Sequence, residues 1–119
     1  MPSQENMPTG EILLYQTEDG STRIEVRLQD ETLWLTQMQM AELFEKDKRT
    51  VSEHISNIYE EGELIQKATV RNFRIVQKEG NREVERDLAL YNLDVVISVG
   101  YRVRSHRGTQ FRMWATQRL

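Results

Sequence analysis

The sequence has no cysteine, and its two histidines, His54 and His106, stand far apart. Disulfides and thiolate metal sites are thereby excluded, and two separated imidazoles do not make a metal cage. No apolar run approaches the ~20 residues that a membrane helix needs. The first ten residues, with two prolines and a glycine, have neither the basic flank nor the hydrophobic centre of an export signal. They read as a disordered tail of a cytoplasmic protein. Also missing are a glycine-rich phosphate loop ending in Lys, a Gly-x-Ser-x-Gly elbow and a carboxylate pair at helical spacing beside a histidine. Glu60-Glu61-Gly62-Glu63 is acidic but lacks the periodic oxygen ligands of a calcium loop. No catalytic residue, metal ligand, cofactor or small-molecule substrate is therefore assigned, and the chain reads as a binding protein, not an enzyme.

What is present fits one globular domain: 119 residues, 38% hydrophobic and 29% charged. The net charge of −3 conceals an asymmetry. Residues 1–66 carry 5 Lys/Arg against 14 Asp/Glu, a balance of −9, while residues 67–119 carry 11 against 5, a balance of +6. From Tyr101 to Leu119 there are five arginines and no carboxylate side chain.

The elements follow from periodicity. Ile12–Tyr15 and Thr22–Leu28 flank Glu18-Asp19-Gly20-Ser21, an Asp-Gly turn signal, and predict a hairpin. In its second strand Ile24, Val26 and Leu28 alternate with Arg23, Glu25 and Arg27, as on a half-buried sheet. Thr32–Leu35 adds a short strand. At Thr36 the period changes to about 3.6, with Thr36 as N-cap of a helix over Gln37–Glu45. A second helix beginning near Lys48 carries Val51, Ile55, Ile58 and Tyr59 on one stripe and stops at Gly62. A second hairpin over Thr69–Tyr91 turns at Lys78-Glu79-Gly80-Asn81. Asn92 caps a helix with Leu93, Val96, Ile97, Gly100 and Tyr101 on one face, and a last helix begins near Thr109. The aromatic side chains Trp34, Phe44, Tyr59, Phe111 and Trp114 fall on apolar faces and are expected in the core.

Two short amphipathic helices joined by a tight connection make a helix-turn-helix, which lays its second helix in a major groove. Ala41, ten residues before Val51, is the small residue that lets the helices approach. Glu45 and Lys46 depart from the usual glycine followed by an apolar residue. Burial of Val51, Ile55 and Ile58 turns Lys48, Arg49, Thr50, Ser52, Glu53 and Asn57 outward. Arg49 suits guanine and Asn57 adenine, Glu53 either accepts from cytosine or repels the backbone, and Lys48, Thr50 and Ser52 suit phosphates. An ordinary solvated helix face fits the same residues. Arg71, Arg74, Lys78 and Arg82 on the second hairpin, and Arg102, Arg104, Arg107 and Arg112 after it, are candidate phosphate contacts. Cross-strand ion pairing and pairing with the acidic N-terminal half compete for them.

Several stretches resemble the N-terminal region of the RhuM family of bacterial virulence-associated proteins: Leu33–Gln37, Met40–Phe44, His54–Leu64, Tyr91–Val103, Arg107–Arg112 and Trp114–Thr116. The block Asn92–Thr116 is similar, more loosely, to N-terminal modules of phage antirepressors. The resemblance implies a DNA-binding module associated with virulence or mobile elements, normally followed by a longer C-terminal region. Some relatives carry a Fic-like domain downstream, whose His-x-Phe-x-Asp/Glu-Gly-Asn motif is absent from these residues. The expectation is an α+β, winged-helix-like helix-turn-helix with N-terminal and central β-hairpins and two C-terminal helices, in one module over residues 11–119. It would bind double-stranded DNA in transcription regulation, with homodimerisation extending its reach. A protein-interaction module, antirepressor-like or antitoxin-like, is the alternative.

Overall fold

The computed structural model describes residues 10–119, so most of the expected N-terminal tail lies outside the described residues. Five strands and five helices follow in the order β1 (Ile12–Gln16), β2 (Arg23–Gln29), β3 (Thr32–Leu35), α1 (Gln37–Phe44), α2 (Lys48–Glu60), α3 (Gln66–Thr69), β4 (Val70–Glu79), β5 (Arg82–Asn92), α4 (Leu93–Val103) and α5 (His106–Arg118). The fold is α+β, as expected. Among the described residues no helix is long and apolar enough to cross a membrane.

The two hairpins are not separate. All strands form one antiparallel sheet in the order β1-β2-β3-β5-β4, joined where Trp34 faces Asn92 and Leu35 faces Tyr91. That junction is only two residue pairs long, so most of the β4–β5 hairpin extends past β3 as an arm. Alternation assigns the faces. Tyr15, Ile24, Val26, Leu33, Leu35 and Tyr91 pack on the helices in the main core. Trp34, Phe73 and Leu90 point the other way and form a small second cluster with Ile75 and Leu88. The turn between β2 and β3 places Asp30 and Glu31 at φ 56° and 60°, a double left-handed turn built without glycine.

In α4 the buried positions are Val95, Val96, Ser98, Val99 and Gly100, while Tyr101 is 73% exposed. The expected stripe through Leu93, Ile97 and Tyr101 is therefore displaced around the helix. Apolar residues occupy nearly every position here, so periodicity alone did not select the face. α5 starts at His106 and not near Thr109, because Ser105 caps it by accepting from the Arg107 N–H.

The β1–β2 turn is held by one carboxylate. Asp19 accepts from the Ser21 N–H at 3.0 Å, the Ser21 hydroxyl at 2.8 Å and the Thr17 hydroxyl at 2.7 Å. The backbone bond first, then the two hydroxyls, hold its carboxyl well below the ordinary range. A group whose folded value is depressed contributes stability that is complete above its unfolded value, ~3.9, and is lost as pH falls through the folded one. Urea midpoints measured downward from about pH 6 should fall less steeply for Asp19→Asn than for the wild type. Parallel curves would remove this role for Asp19. Asp47, Glu63 and Glu79 are depressed as well, so part of the acid limb remains in the variant.

Candidate nucleic-acid interface

The helical pair is built from its caps inward. Thr36 and Gln39 form a reciprocal capping box at the start of α1, and the Gln39 amide also donates to the Glu25 carbonyl at 2.8 Å. Met40, Ala41, Leu43 and Phe44 are buried. The helix ends where Glu45 turns left-handed, at φ 54° and ψ 46°. The Glu45 N–H donates to the Glu42 carbonyl and the Lys46 N–H to the Ala41 carbonyl, the two bonds of a Schellman ending. The position thus keeps the conformation that favours glycine, with a glutamate in it. Asp47 then caps α2 by accepting from the Thr50 N–H at 2.7 Å. That bond, ahead of the one from the Thr50 side chain, holds the Asp47 carboxyl below its usual range.

Burial of Val51, Ile55 and Ile58 turns the opposite side of α2 outward, as expected. Lys48, Arg49, Glu53 and Asn57 are exposed, and Thr50 and Ser52 are half-buried. Arg49 and Glu53 pair with each other one turn apart at 3.2 Å. Among the described residues no side chain of another element hydrogen-bonds to these six.

The candidate phosphate contacts divide into two groups. Arg71 pairs with Asp30 and lies over the Trp34 ring at 4.6 Å, Arg74 pairs with Asp87, and Arg102 bridges Glu61 and Glu63. Lys78, Arg82, Arg104 and Arg112 are exposed and, among the described residues, have no carboxylate within ion-pairing distance. Arg86, on the same hairpin, is held by Glu79.

Arg107 corrects the sequence reading. It is only 9% exposed, and its guanidinium donates to the Glu42 and Leu43 carbonyls at the end of α1. It also donates to Thr22 and Ser21 and pairs with Asp19 and Glu45 at 3.3 Å each. Its donors are engaged inside the protein, so it does not grip phosphate.

A notch opens where α1 leaves the sheet between β2 and β5. Gln37, Met38, Lys48, Val76 and Ala89 line it, with Glu25 and Arg27 at its side. Burial lowers the pKa of the Arg27 guanidinium against the opposing effect of Glu25. The notch places Lys48, at the start of α2, beside the hairpin arm. Sequence reasoning missed it, because it depends on the two-pair junction between β3 and β5.

Residues 68–119 match the Virulence protein RhuM family. The RhuM segment contains the β4–β5 hairpin, α4 and α5, and with them all eight candidate phosphate contacts. The helix pair α1–α2 precedes it. The resemblance quoted for Tyr91–Val103 and Arg107–Thr116 falls inside the RhuM segment, and that quoted for residues 33–64 falls before it. No curated protein and no solved structure matches the chain. Arg107, in the matched segment, is one of the residues that tie it to the helix pair, with Tyr91 on Gln37 and Thr69 on Tyr59.

Proposed function

We propose that the protein is a winged-helix-like DNA-binding module acting in regulation, with α2 as the reading helix and the β4–β5 arm as a wing. The observation that carries this reading is the outward face of α2, where Lys48, Arg49 and Asn57 are exposed and, among the described residues, no side chain of another element hydrogen-bonds to them or to Ser52. Arg49 and Asn57 have the donors for bidentate contacts to guanine and adenine edges, and Lys48 stands at the helix start, where phosphate contacts set register. Lys78 and Arg82, next to the hairpin turn, are the cations a wing would lay along the neighbouring backbone. Two such modules on half-sites ~34 Å apart would give a homodimer the reach that one short helix lacks.

The Arg49–Glu53 pair makes this reading testable in both directions. An exposed pair of this kind is weak, so DNA can replace it. Arg49→Ala should weaken the preferred duplex by ~1–3 kcal/mol, and Glu53→Gln, which frees the guanidinium and removes a repelling charge, should tighten binding at low salt. Fluorescence anisotropy on duplexes selected from random DNA measures both. Identical isotherms for wild type and both variants would take α2 out of the interface.

A second reading, a partner-binding module without DNA contact, is favoured by the pairing of Arg71, Arg74, Arg86 and Arg102 with carboxylates. Salt separates the two. Phosphate contacts make log K fall linearly with log salt, with a slope of about −0.9 per contact, and a flat response favours the partner.

A further inference from the structure

We propose that the cleft between α4 and α5 binds the phosphate of a nucleotide, through Arg104 and Arg112 with Tyr101 beside them. The proposal is independent of the DNA-binding reading.

Six arginines, at positions 49, 71, 74, 86, 102 and 107, have a carboxylate partner. Arg104 and Arg112, like Arg23, Arg27, Arg82 and Arg118, have none among the described residues, although the N-terminal half is rich in acid. Both converge on one cleft, where no lining residue is acidic. The contrast with other depressions is direct: the notch beside α1 includes Glu25, and the hollow beside Trp34 includes Asp30, Glu31 and Asp94.

Two unpaired guanidiniums facing a shared cleft repel each other, and a divalent anion removes that repulsion while accepting their forked donors. Thr109, one helical turn before Arg112, adds a hydroxyl on the same wall. Gly108 contributes no side chain, so the wall between the cations stays low. Tyr101 stands at the rim, and its flat ring is available for a base to stack upon. That aromatic surface beside the charges selects a nucleotide over bare phosphate. A doubly charged phosphate next to an unpaired base belongs to a free nucleotide, whereas a duplex offers singly charged diesters and bases stacked inside.

The test is a ¹⁵N NMR titration of the full chain with AMP, with inorganic phosphate and with a short duplex, on wild type and on R104Q/R112Q. AMP should move the Gly108, Thr109 and Arg112 amides in the wild type more strongly than the duplex does, and the double variant should weaken that response at least tenfold. Arg112→Gln alone, on the exposed side of α5, is the fallback if the double variant unfolds, with a smaller loss expected. Response to AMP and not to the duplex supports the nucleotide, and an equal response of these amides to the duplex would mean that any backbone phosphate suffices and would overturn it. Equal affinity for inorganic phosphate and AMP, or no movement of these amides with any probe, overturns the proposal. Duplex-induced shifts confined to α2, with no response of the cleft to AMP, would remove the cleft and keep the DNA-binding reading, whereas cleft shifts with AMP and no shifts anywhere with DNA would do the reverse.

Discussion

Arg107→Met should lower the unfolding free energy by about 3 kcal/mol, read as a shift of the urea midpoint at unchanged slope. The side chain is nearly enclosed, and methionine fills much of its volume, so the loss is electrostatic and not a cavity. Without the guanidinium the buried Leu43 carbonyl at the end of α1 and the half-buried Thr22 hydroxyl lose a donor, while the Glu42 carbonyl keeps the Glu45 N–H and the exposed Ser21 hydroxyl keeps Asp19. Each buried group left unpaired costs about 1–3 kcal/mol. Asp19 and Glu45 are well over half exposed and regain water, which keeps the total below that of a fully buried ion pair. Arg107→Lys should recover little, because one ammonium does not span acceptors on α1 and on the connections β1–β2 and α1–α2. A loss under about 1 kcal/mol for methionine would show that the clamp follows the fold and does not hold it.

Gly100→Val should cost a similar amount, about 3 kcal/mol, through overpacking. A Cβ at Gly100 lies 3.3 Å from the Phe44 ring and 3.4 Å from the Gly108 Cα, so α4, α5 and α1 meet at one point with no room for side chains. Alanine is the informative contrast. Its methyl presses on the ring by a few tenths of an ångström but improves helix propensity by up to about 1 kcal/mol, so the two effects offset. Valine adds two further methyls against backbone that has no retreat. The obstacle is partly a side chain, so Phe44→Leu should relieve part of the valine penalty, and a double-mutant cycle should show favourable coupling above 0.5 kcal/mol. Strict additivity would mean that Phe44 is not what valine meets.

Much of this fold is legible in the sequence because its signals are local. Thr36 and Asn92 announce helix starts through their own side chains, Gly62 takes the left-handed conformation at φ 78°, and Gly80 turns the β4–β5 hairpin. The outward face of α2 follows from three apolar residues at helical spacing. What escaped depends on residues distant in sequence. Arg107 reads as one more cation in an acid-free run, since Thr22 and Asp19 lie 85 and 88 positions away. The joining of the two hairpins rests on two residue pairs and leaves no periodic trace. The face of α4 escapes periodicity because valine and isoleucine cover most of its circumference and the polar Ser98 is buried. Of the candidate phosphate contacts, the pairing of Arg71 with Asp30 and of Arg102 with Glu61 and Glu63 crosses about 40 positions and is equally silent in the sequence.

The clamp at Arg107 also orders events during synthesis. The chain leaves the ribosome N-terminus first at ~5–20 residues per second, so residues 37–60 emerge roughly 2–10 s before residue 107 does. Over that interval the left-handed bend at Glu45 has no guanidinium to close it, and the nascent helices wait in a loose arrangement. Ribosome-bound chains halted before and after residue 107 should therefore differ in protease resistance at the Glu45–Asp47 bend, with only the longer ones protected.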